Sequence, residues 1–167
     1  MENMFRYAGY RSDNFILNLS DWNVSNVKTF SSFLANSGYN SSKWVVGNLS
    51  NWNVSNTNDI NHMFSEAGFY MSNNFNIGDI SNWNTSNIVK MNGLFYGAGY
   101  SSSVFYVGDL SKWDTSNVTN MTGMFYVAGY KAYWELDLRS WNVDKVTSHA
   151  NFDYGSGGKV DEPYWKN

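Results

Sequence analysis

The stretch Asp109–Phe125, DLSKWDTSNVTNMTGMF, recurs in recognisable form along the whole chain. Its tryptophan marks five successive copies, spaced 30, 31, 30 and 28 residues apart, at Trp22, Trp52, Trp83, Trp113 and Trp141. The same period is followed by Phe5, Phe33, Phe64, Phe95 and Phe125, and by Gly9, Gly38, Gly68, Gly99 and Gly129. A fixed period of roughly 20 to 50 residues is typical of solenoids and related arrays. The period therefore predicts one tandem-repeat domain.

Composition narrows the partners that we expect. The chain has 167 residues and a net charge of −3, and its eleven basic residues are scattered. Nucleic-acid binding depends on clustered Lys and Arg that neutralise phosphates, so we expect no nucleic-acid partner. Aromatic residues make up 19% of the chain and follow the repeat, which indicates a folded protein despite its many asparagines. We expect the asparagines to form ordered polar ladders and tight turns.

The chain contains no cysteine, which excludes disulfides, thiolate nucleophiles and cysteine-bound zinc. No apolar run approaches the roughly 18 residues of a spanning helix, so we expect no membrane insertion. The first residues, MENMFRYAGY, lack the basic and apolar regions of a secretion signal. An exported protein would then carry its signal elsewhere or use another route.

The first part of each repeat predicts a short strand. Phe105, Val107 and Leu110 are apolar residues in a near-alternating pattern, which is typical of a half-buried strand. A glycine interrupts the alternation in three repeats and predicts a bulge at Gly47, Gly78 and Gly108. Stacked repeats would then bury one column formed by Phe15, Trp44, Phe75, Phe105 and Trp134. A second column would contain Leu19, Leu49, Ile80, Leu110 and Leu138.

The second part predicts a short helix. The apolar residues of Val118–Phe125 recur at i, i+3, i+6 and i+7, with Ser116 or Asn117 as the N-cap and Gly129 as the stop. We therefore predict an α/β repeat solenoid with one short parallel strand and one short helix in each repeat of about 30 residues. The coil should be right-handed, as parallel crossovers almost always are. The repeats should span residues 1–152, with residues 153–167 as a capping tail.

The motif LSxWDTSNVTNMxxMFxxAG resembles the repeat of BspA-like leucine-rich repeat surface proteins and mycoplasma-type lipoproteins of bacteria. Leu110–Ser111, Trp113–Val118, Met121 and Met124–Phe125 match it, and the resemblance covers residues 4–152. The repeats here are somewhat longer, and the chain has no lipobox cysteine. The resemblance implies a leucine-rich-repeat-like coil, an extracellular or cell-surface location, and adhesion to protein or glycan ligands of another cell or host.

The repeated tryptophans and the aromatic residues after the turn glycines form two rows. Each row could either pack inside the protein or bind a ligand. The tryptophans could stack on sugar rings, but their place beside a turn in every repeat favours core packing. The aromatic residue after each turn glycine is a better candidate for an exposed stripe, although packing between loops is again favoured. These residues are Tyr10, Tyr39, Phe69, Tyr100 and Tyr130.

Positions that vary while their neighbours repeat are candidates for recognition. The outward strand position is free of core constraints and forms the usual recognition face of horseshoe-like repeat proteins. We predict a ligand-binding face made of Ile16, Val45, Asn76, Tyr106 and Glu135, beside a polar column that includes Asp79, Asp109 and Asp137. A plain solvent-exposed face would show the same variation, so both interpretations stay open.

We expect no enzyme, metal site or cofactor. Stacked carboxylates about 5 Å apart would suit a glycosidase pair or calcium, but a solvated column explains them without either. His62 and His149 have no second histidine or cysteine at metal-ligand spacing. The leading hypothesis is a non-enzymatic interaction or adhesion module of a bacterium or its phage. The rival is a structural protein that assembles head to tail into filaments.

Overall fold

The structure, a computed structural model, describes residues 1–166 and contains six short strands. In chain order the strands are β1 (Asn14–Ile16), β2 (Lys43–Val45), β3 (Phe75–Asn76), β4 (Phe105–Tyr106), β5 (Glu135–Asp137) and β6 (Lys159–Asp161). One turn of 3-10 helix covers Leu110–Lys112. Every other described segment is turn, isolated bridge or irregular backbone.

Neighbouring repeats pair in parallel and in register. The strands form three two-stranded parallel sheets, β1 with β2, β3 with β4 and β5 with β6. A row of isolated parallel bridges also joins the repeats, through Thr29, Asp59, Lys90, Asn120 and Ser148. Equivalent positions of successive repeats therefore lie one above another.

The prediction of an α/β solenoid with a helix in each repeat is wrong. Residues 1–166 contain no α-helix, and their strands are only two or three residues long, in small separate sheets. Ser116 and Asn117 do not cap a helix. The backbone N–H of Ser116 instead donates to Oδ1 of Asp114 at 3.0 Å, which closes a tight turn.

Hydrogen bonding explains why the helical spacing was misleading. The N–H groups of Met121, Gly123 and Phe125 donate to the next repeat, whereas those of the intervening Met124 and Tyr126 donate three residues back. An α-helix requires donation four residues back along one segment. Positive φ angles at Gly123 (58°) and Gly129 (47°) also break a right-handed helix. Successive turns thus give a three-residue apolar spacing without a helix.

The phenylalanine column is also corrected at one position. Leu34, not Phe33, occupies the position of Phe64 and Phe95, because the N–H groups of Leu34 and Phe64 donate to Met63 and Leu94 in the same pattern. Phe64 and Phe95 stack in parallel with ring centroids 5.6 Å apart. Phe33 is one residue early and lies edge-on against Phe5.

The strands are shorter than predicted, and the predicted bulge glycines lie beyond them. Gly108 follows β4 with φ of 84°, a conformation that other residues adopt with strain. A Cβ atom at Gly108 would also overlap Oδ1 of Asp79 in the preceding repeat. Glycine is therefore required here by backbone conformation and by the close approach of a polar side chain.

The predicted apolar columns form the core. Trp44, Phe75 and Phe105 are buried and stack at 5.0 and 5.1 Å, while Phe15 at the first repeat is half-buried. The column of Leu19, Leu49, Ile80, Leu110 and Leu138 is completely buried. Both columns confirm the predicted stacking of like residues.

The tryptophans pack in the core and also join the repeats by hydrogen bonds. The indole N–H of Trp83 donates to the carbonyl of Leu49 in the preceding repeat at 3.0 Å, and Trp113 donates likewise to Ile80. The same bond links Trp52 to Leu19 and Trp141 to Leu110. Consecutive indoles from Trp52 to Trp141 stack with centroids 6.2–6.4 Å apart. The packing interpretation is confirmed.

The aromatic residues after the turn glycines stack on one another as well. Their rings, from Tyr10 to Tyr130, lie nearly parallel with centroids 4.5–5.0 Å apart. Asparagines form a further ladder, in which the side-chain amides of Asn56, Asn87 and Asn117 donate to backbone carbonyls of the preceding repeat. The expected polar ladders are therefore present.

The C-terminal segment continues the stack and covers its last repeat. β6 pairs with β5, and Trp165 stacks on His149 at 4.2 Å and contacts Phe152 edge-on. Pro163 is buried. The predicted division at residue 152 stays a prediction.

Within the described residues we find no helix with the length and apolarity needed to cross a bilayer.

The buried indole of Trp134 lacks the hydrogen-bond acceptor that the equivalent indole of Trp44 has. Nε1 of Trp44 donates to Oγ of Ser37 at 3.0 Å, whereas buried Nε1 of Trp134 has no hydrogen-bond partner among residues 1–166. Ser37 and Ala128 both directly precede the turn glycine of their repeat. Ala128 thus leaves the Trp134 donor without a hydroxyl.

We predict that Ala128→Ser stabilises the protein by about 1 kcal/mol, because a hydroxyl there satisfies a buried donor. Chemical denaturation measures the change in unfolding free energy. The matched control is Ala98→Ser, where the aromatic residue of the same repeat is Phe105 and offers no N–H. If Ala128→Ser stabilises the protein no more than Ala98→Ser does, or destabilises it, the Trp134 indole does not need a hydroxyl at residue 128.

Candidate functional site

The structure places most of the predicted recognition residues on an exposed strand face. Ile16 is 65% exposed and Tyr106 is 44% exposed. Asn76 and Glu135 are also exposed, whereas Val45 is half-buried. Ile16 lies opposite Val45 in the first sheet, and Asn76 lies opposite Tyr106 in the second.

Two grooves lie on this face, where strand pairing is interrupted. Among the described strands, β2 does not pair with β3, and β4 does not pair with β5. The β4–β5 groove has a volume of 610 Å³ and the β2–β3 groove a volume of 490 Å³. Each groove is therefore lined by residues of two neighbouring strands that do not pair.

The grooves bring seven of the eight predicted residues together. The β4–β5 groove is lined by Asp79, Tyr106, Asp109, Glu135 and Asp137, and the β2–β3 groove by Val45, Asn76, Asp79 and Tyr106. Asp79 and Tyr106 line both, so the two grooves are adjacent parts of one surface. Ile16 lines neither groove.

The polar column has a structural role in addition to its place in the groove. In Asp79, Asp109 and Asp137, one carboxylate oxygen accepts the backbone N–H two residues later, at 2.9, 2.9 and 3.1 Å. Asn18 and Asn48 accept the equivalent bond in the first two repeats. The column thus fixes the turn that follows each strand.

Two carboxylates of the β4–β5 groove, those of Asp109 and Asp137, have a lowered pKa and favour the ionised form. Hydrogen bonds from Ser111 lower the pKa of Asp109, and hydrogen bonds from Arg139 lower the pKa of Asp137 to about 2. Arg139 also forms an ion pair with Asp137 at 2.7 Å. These two acids hold no proton to donate near neutral pH, so the geometry suits charge recognition better than general acid catalysis.

Tyr133, the most exposed aromatic side chain of the β4–β5 groove, was not predicted from the sequence. Tyr133 is 78% exposed, and its hydroxyl donates to Glu135. That hydrogen bond raises the pKa of Tyr133. The available signal was an aromatic residue directly before Trp134, at a position that the other repeats fill with Asn14, Lys43, Asn74 and Val104.

The histidines lie in separate polar environments. Nε2 of His62 is 3.2 Å from Nδ2 of Asn92, and burial lowers the pKa of His62. His149 stacks on Trp165. In the described part of the chain, no group of three or more His, Cys, Asp or Glu side chains could hold a metal ion.

Comparison with known proteins gives one match. Residues 1–73 and 68–157 match the model of the family described as "Mycoplasma protein of unknown function, DUF285". The comparisons with curated proteins and with solved structures found no match. This match is consistent with the predicted tandem repeat of bacterial type. It does not show the predicted membership of the BspA-like leucine-rich repeat family.

Asp153 and Glu162 form a pair of carboxyl groups near His149 and Trp165 at the C-terminal end. Burial and the neighbouring carboxylate of Glu162 raise the pKa of Asp153 from 3.8 to about 6. Both residues line a small groove with Phe152 and Trp165. The folded protein therefore binds a proton at Asp153 more tightly than the unfolded chain does.

We predict that this pair makes stability fall as pH rises. A carboxyl with a raised folded pKa stabilises the protein fully below the unfolded value of 3.8, and the contribution is lost as pH rises through about 6. Asp153→Asn should reduce the difference in melting temperature between pH 4 and pH 7. Glu162→Gln should reduce it in part, because it removes the like charge. A difference unchanged in both variants would contradict the pairing.

Proposed function

The chain belongs to the family of Mycoplasma proteins described as DUF285, and we propose that it is a non-enzymatic extracellular interaction module. The observation that carries the proposal is the pair of adjacent grooves on the strand face, which share Asp79 and Tyr106. The resemblance of the repeat to those of bacterial surface proteins supports an adhesive role at the cell surface.

The β4–β5 groove favours a positively charged protein segment as its ligand. Its lining combines the carboxylates of Asp79, Asp109 and Glu135 with the exposed rings of Tyr106 and Tyr133, while Asp137 is already paired with Arg139. Lysine and arginine side chains interact favourably with carboxylates and with aromatic faces. Interfaces are also enriched in tyrosine, which supplies contact area for few rotatable bonds. A protein ligand with basic residues would interact favourably with the carboxylates and with the tyrosine rings of the groove.

We predict that Tyr106→Ala together with Glu135→Ala weakens ligand binding. The purified chain would be labelled and applied to arrays of host surface proteins and glycans, and bound spots would be titrated. We expect the double variant to weaken binding at least tenfold, because a hot-spot aromatic residue and a groove carboxylate are removed.

The matched control is Tyr70→Ala together with Glu2→Ala, which removes the same two residue types from outside both grooves. This control should bind like the original protein. Binding that survives the Tyr106 and Glu135 substitutions, or that is lost equally in the control, would contradict the proposed site.

A second candidate function is head-to-tail self-association. Phe15 and Trp22 are only half-buried, although they belong to columns that are buried in later repeats, and Ile16 is exposed nearby. A second copy could cover this apolar surface.

Light scattering over a hundredfold range of concentration tests this candidate. We predict a mass that rises with concentration without a plateau if copies associate in this way. A constant monomer mass would eliminate self-association.

A further inference from the structure

A third groove lies away from the strand face, on the turn segments of the later repeats. Its volume is 320 Å³, and its lining includes His62, Asn92, Tyr96, Thr122, Tyr126 and Asn151. None of these residues lines the β2–β3 or β4–β5 groove. The groove is therefore separate from the proposed interaction face, and its occupation is independent of that function.

The groove exists because one position of the repeat lacks a side chain. This position has positive φ in every repeat, and it carries a side chain at Asn3, Ser32, His62 and Asn151 but none at Gly93 and Gly123. A Cβ atom at Gly93 would overlap the His62 ring. A Cβ atom at Gly123 would meet nothing nearer than Cδ2 of Tyr96 at 3.5 Å, which is an ordinary contact distance, so there is room for a side chain beside Gly123.

The lining offers hydrogen-bonding groups without Asp, Glu, Lys or Arg. Nδ2 of Asn92 lies 3.2 Å from Nε2 of His62, while Oδ1 of Asn92 accepts no hydrogen bond from the described residues. Oγ1 of Thr122 is 2.6 Å from Oγ of Ser148. Burial lowers the pKa of His62, which keeps its ring neutral at pH 7. A charged ligand would find no opposite charge among these side chains.

Aromatic rings form one wall of the groove. Tyr96 and Tyr126 stack in parallel with centroids 4.6 Å apart. The stack ends at Tyr96, because the equivalent position in the preceding repeat is Ser65. A wall of tyrosines beside amide, hydroxyl and imidazole groups combines apolar contact with directional hydrogen bonds.

We propose that this groove binds one uncharged sugar unit of a glycan. A sugar ring presents hydroxyl groups to Asn92, Thr122 and His62 and apolar C–H groups to the tyrosine wall. The volume lies at the lower end of the roughly 300–1,000 Å³ that is usual for small-ligand pockets, which suits a single ring. An uncharged ligand also matches a lining without ionised groups.

The test titrates the full chain with five neutral sugars: glucose, galactose, mannose, N-acetylglucosamine and N-acetylgalactosamine. Proton–nitrogen NMR spectra report on the Asn92 side-chain amide and on the backbone N–H groups of Gly93 and Gly123. We expect at least one sugar to shift these signals in a saturable way. Glucuronic acid and a basic peptide should leave them unchanged.

Gly123→Asn should weaken sugar binding at least tenfold by filling the open space. Asparagine tolerates positive φ and already occupies this position at Asn3 and Asn151, so the substitution suits the backbone. Ser32→Asn is the matched control, since it makes a comparable change at the equivalent position outside the groove. It should leave sugar binding unchanged.

If Gly123→Asn fails to fold, Asn92→Ala provides a second test. It should weaken sugar binding because it removes the side-chain amide that would bond to the sugar. The proposal would be overturned by the absence of a response to all five sugars. Equal binding by the original protein and the folded groove variants would also overturn it, as would stronger binding of glucuronic acid or the peptide.

Discussion

Four tryptophan indoles, those of Trp52, Trp83, Trp113 and Trp141, donate to a carbonyl of the preceding repeat and so hold successive repeats in register. Each such carbonyl lies in the buried leucine column, and at Leu49 it accepts both the N–H of Trp52 and the indole N–H of Trp83. One acceptor therefore closes a turn within its own repeat and fixes the position of the next repeat. A buried donor without a partner is costly, so the indole also penalises any slip in register. Short strands suffice because the indole bonds, the stacked rings and the asparagine ladder also join successive repeats.

The surfaces that can recognise a ligand arise where this regularity is interrupted. The strand-face grooves lie between strands that do not pair, and the third groove lies where Gly123 lacks the side chain that other repeats carry. Their chemistry differs, since the β4–β5 groove contains ionised carboxylates and the third groove contains only uncharged groups. A regular core thus allows two chemically different grooves on one chain. Substitutions within a groove can change its ligand while the columns beneath keep the repeats aligned.

Much of the packing could be predicted from the sequence, but the backbone could not. The period places equivalent residues in one column, and stacking follows wherever those residues are large and apolar, as at Trp44 and Phe75. Apolar spacing does not distinguish an α-helix from successive turns, because both place residues i and i+3 on one side. Val127 shows the limit most clearly, since a positive φ angle is unexpected for a β-branched residue. The strand-face grooves were equally hidden, because the repeat period does not show which neighbouring strands pair.

Hydrogen exchange of the tryptophan indoles, measured by proton–nitrogen NMR, tests the account most directly. The indole N–H groups of Trp52, Trp83, Trp113 and Trp141 are buried and hydrogen-bonded, whereas Trp22 is only half-buried and its indole has no hydrogen-bond partner among the described residues. We predict four indole signals that exchange only through global unfolding, and a Trp22 signal that exchanges much faster. Fast exchange of all five would contradict the claim that these bonds hold the repeats together.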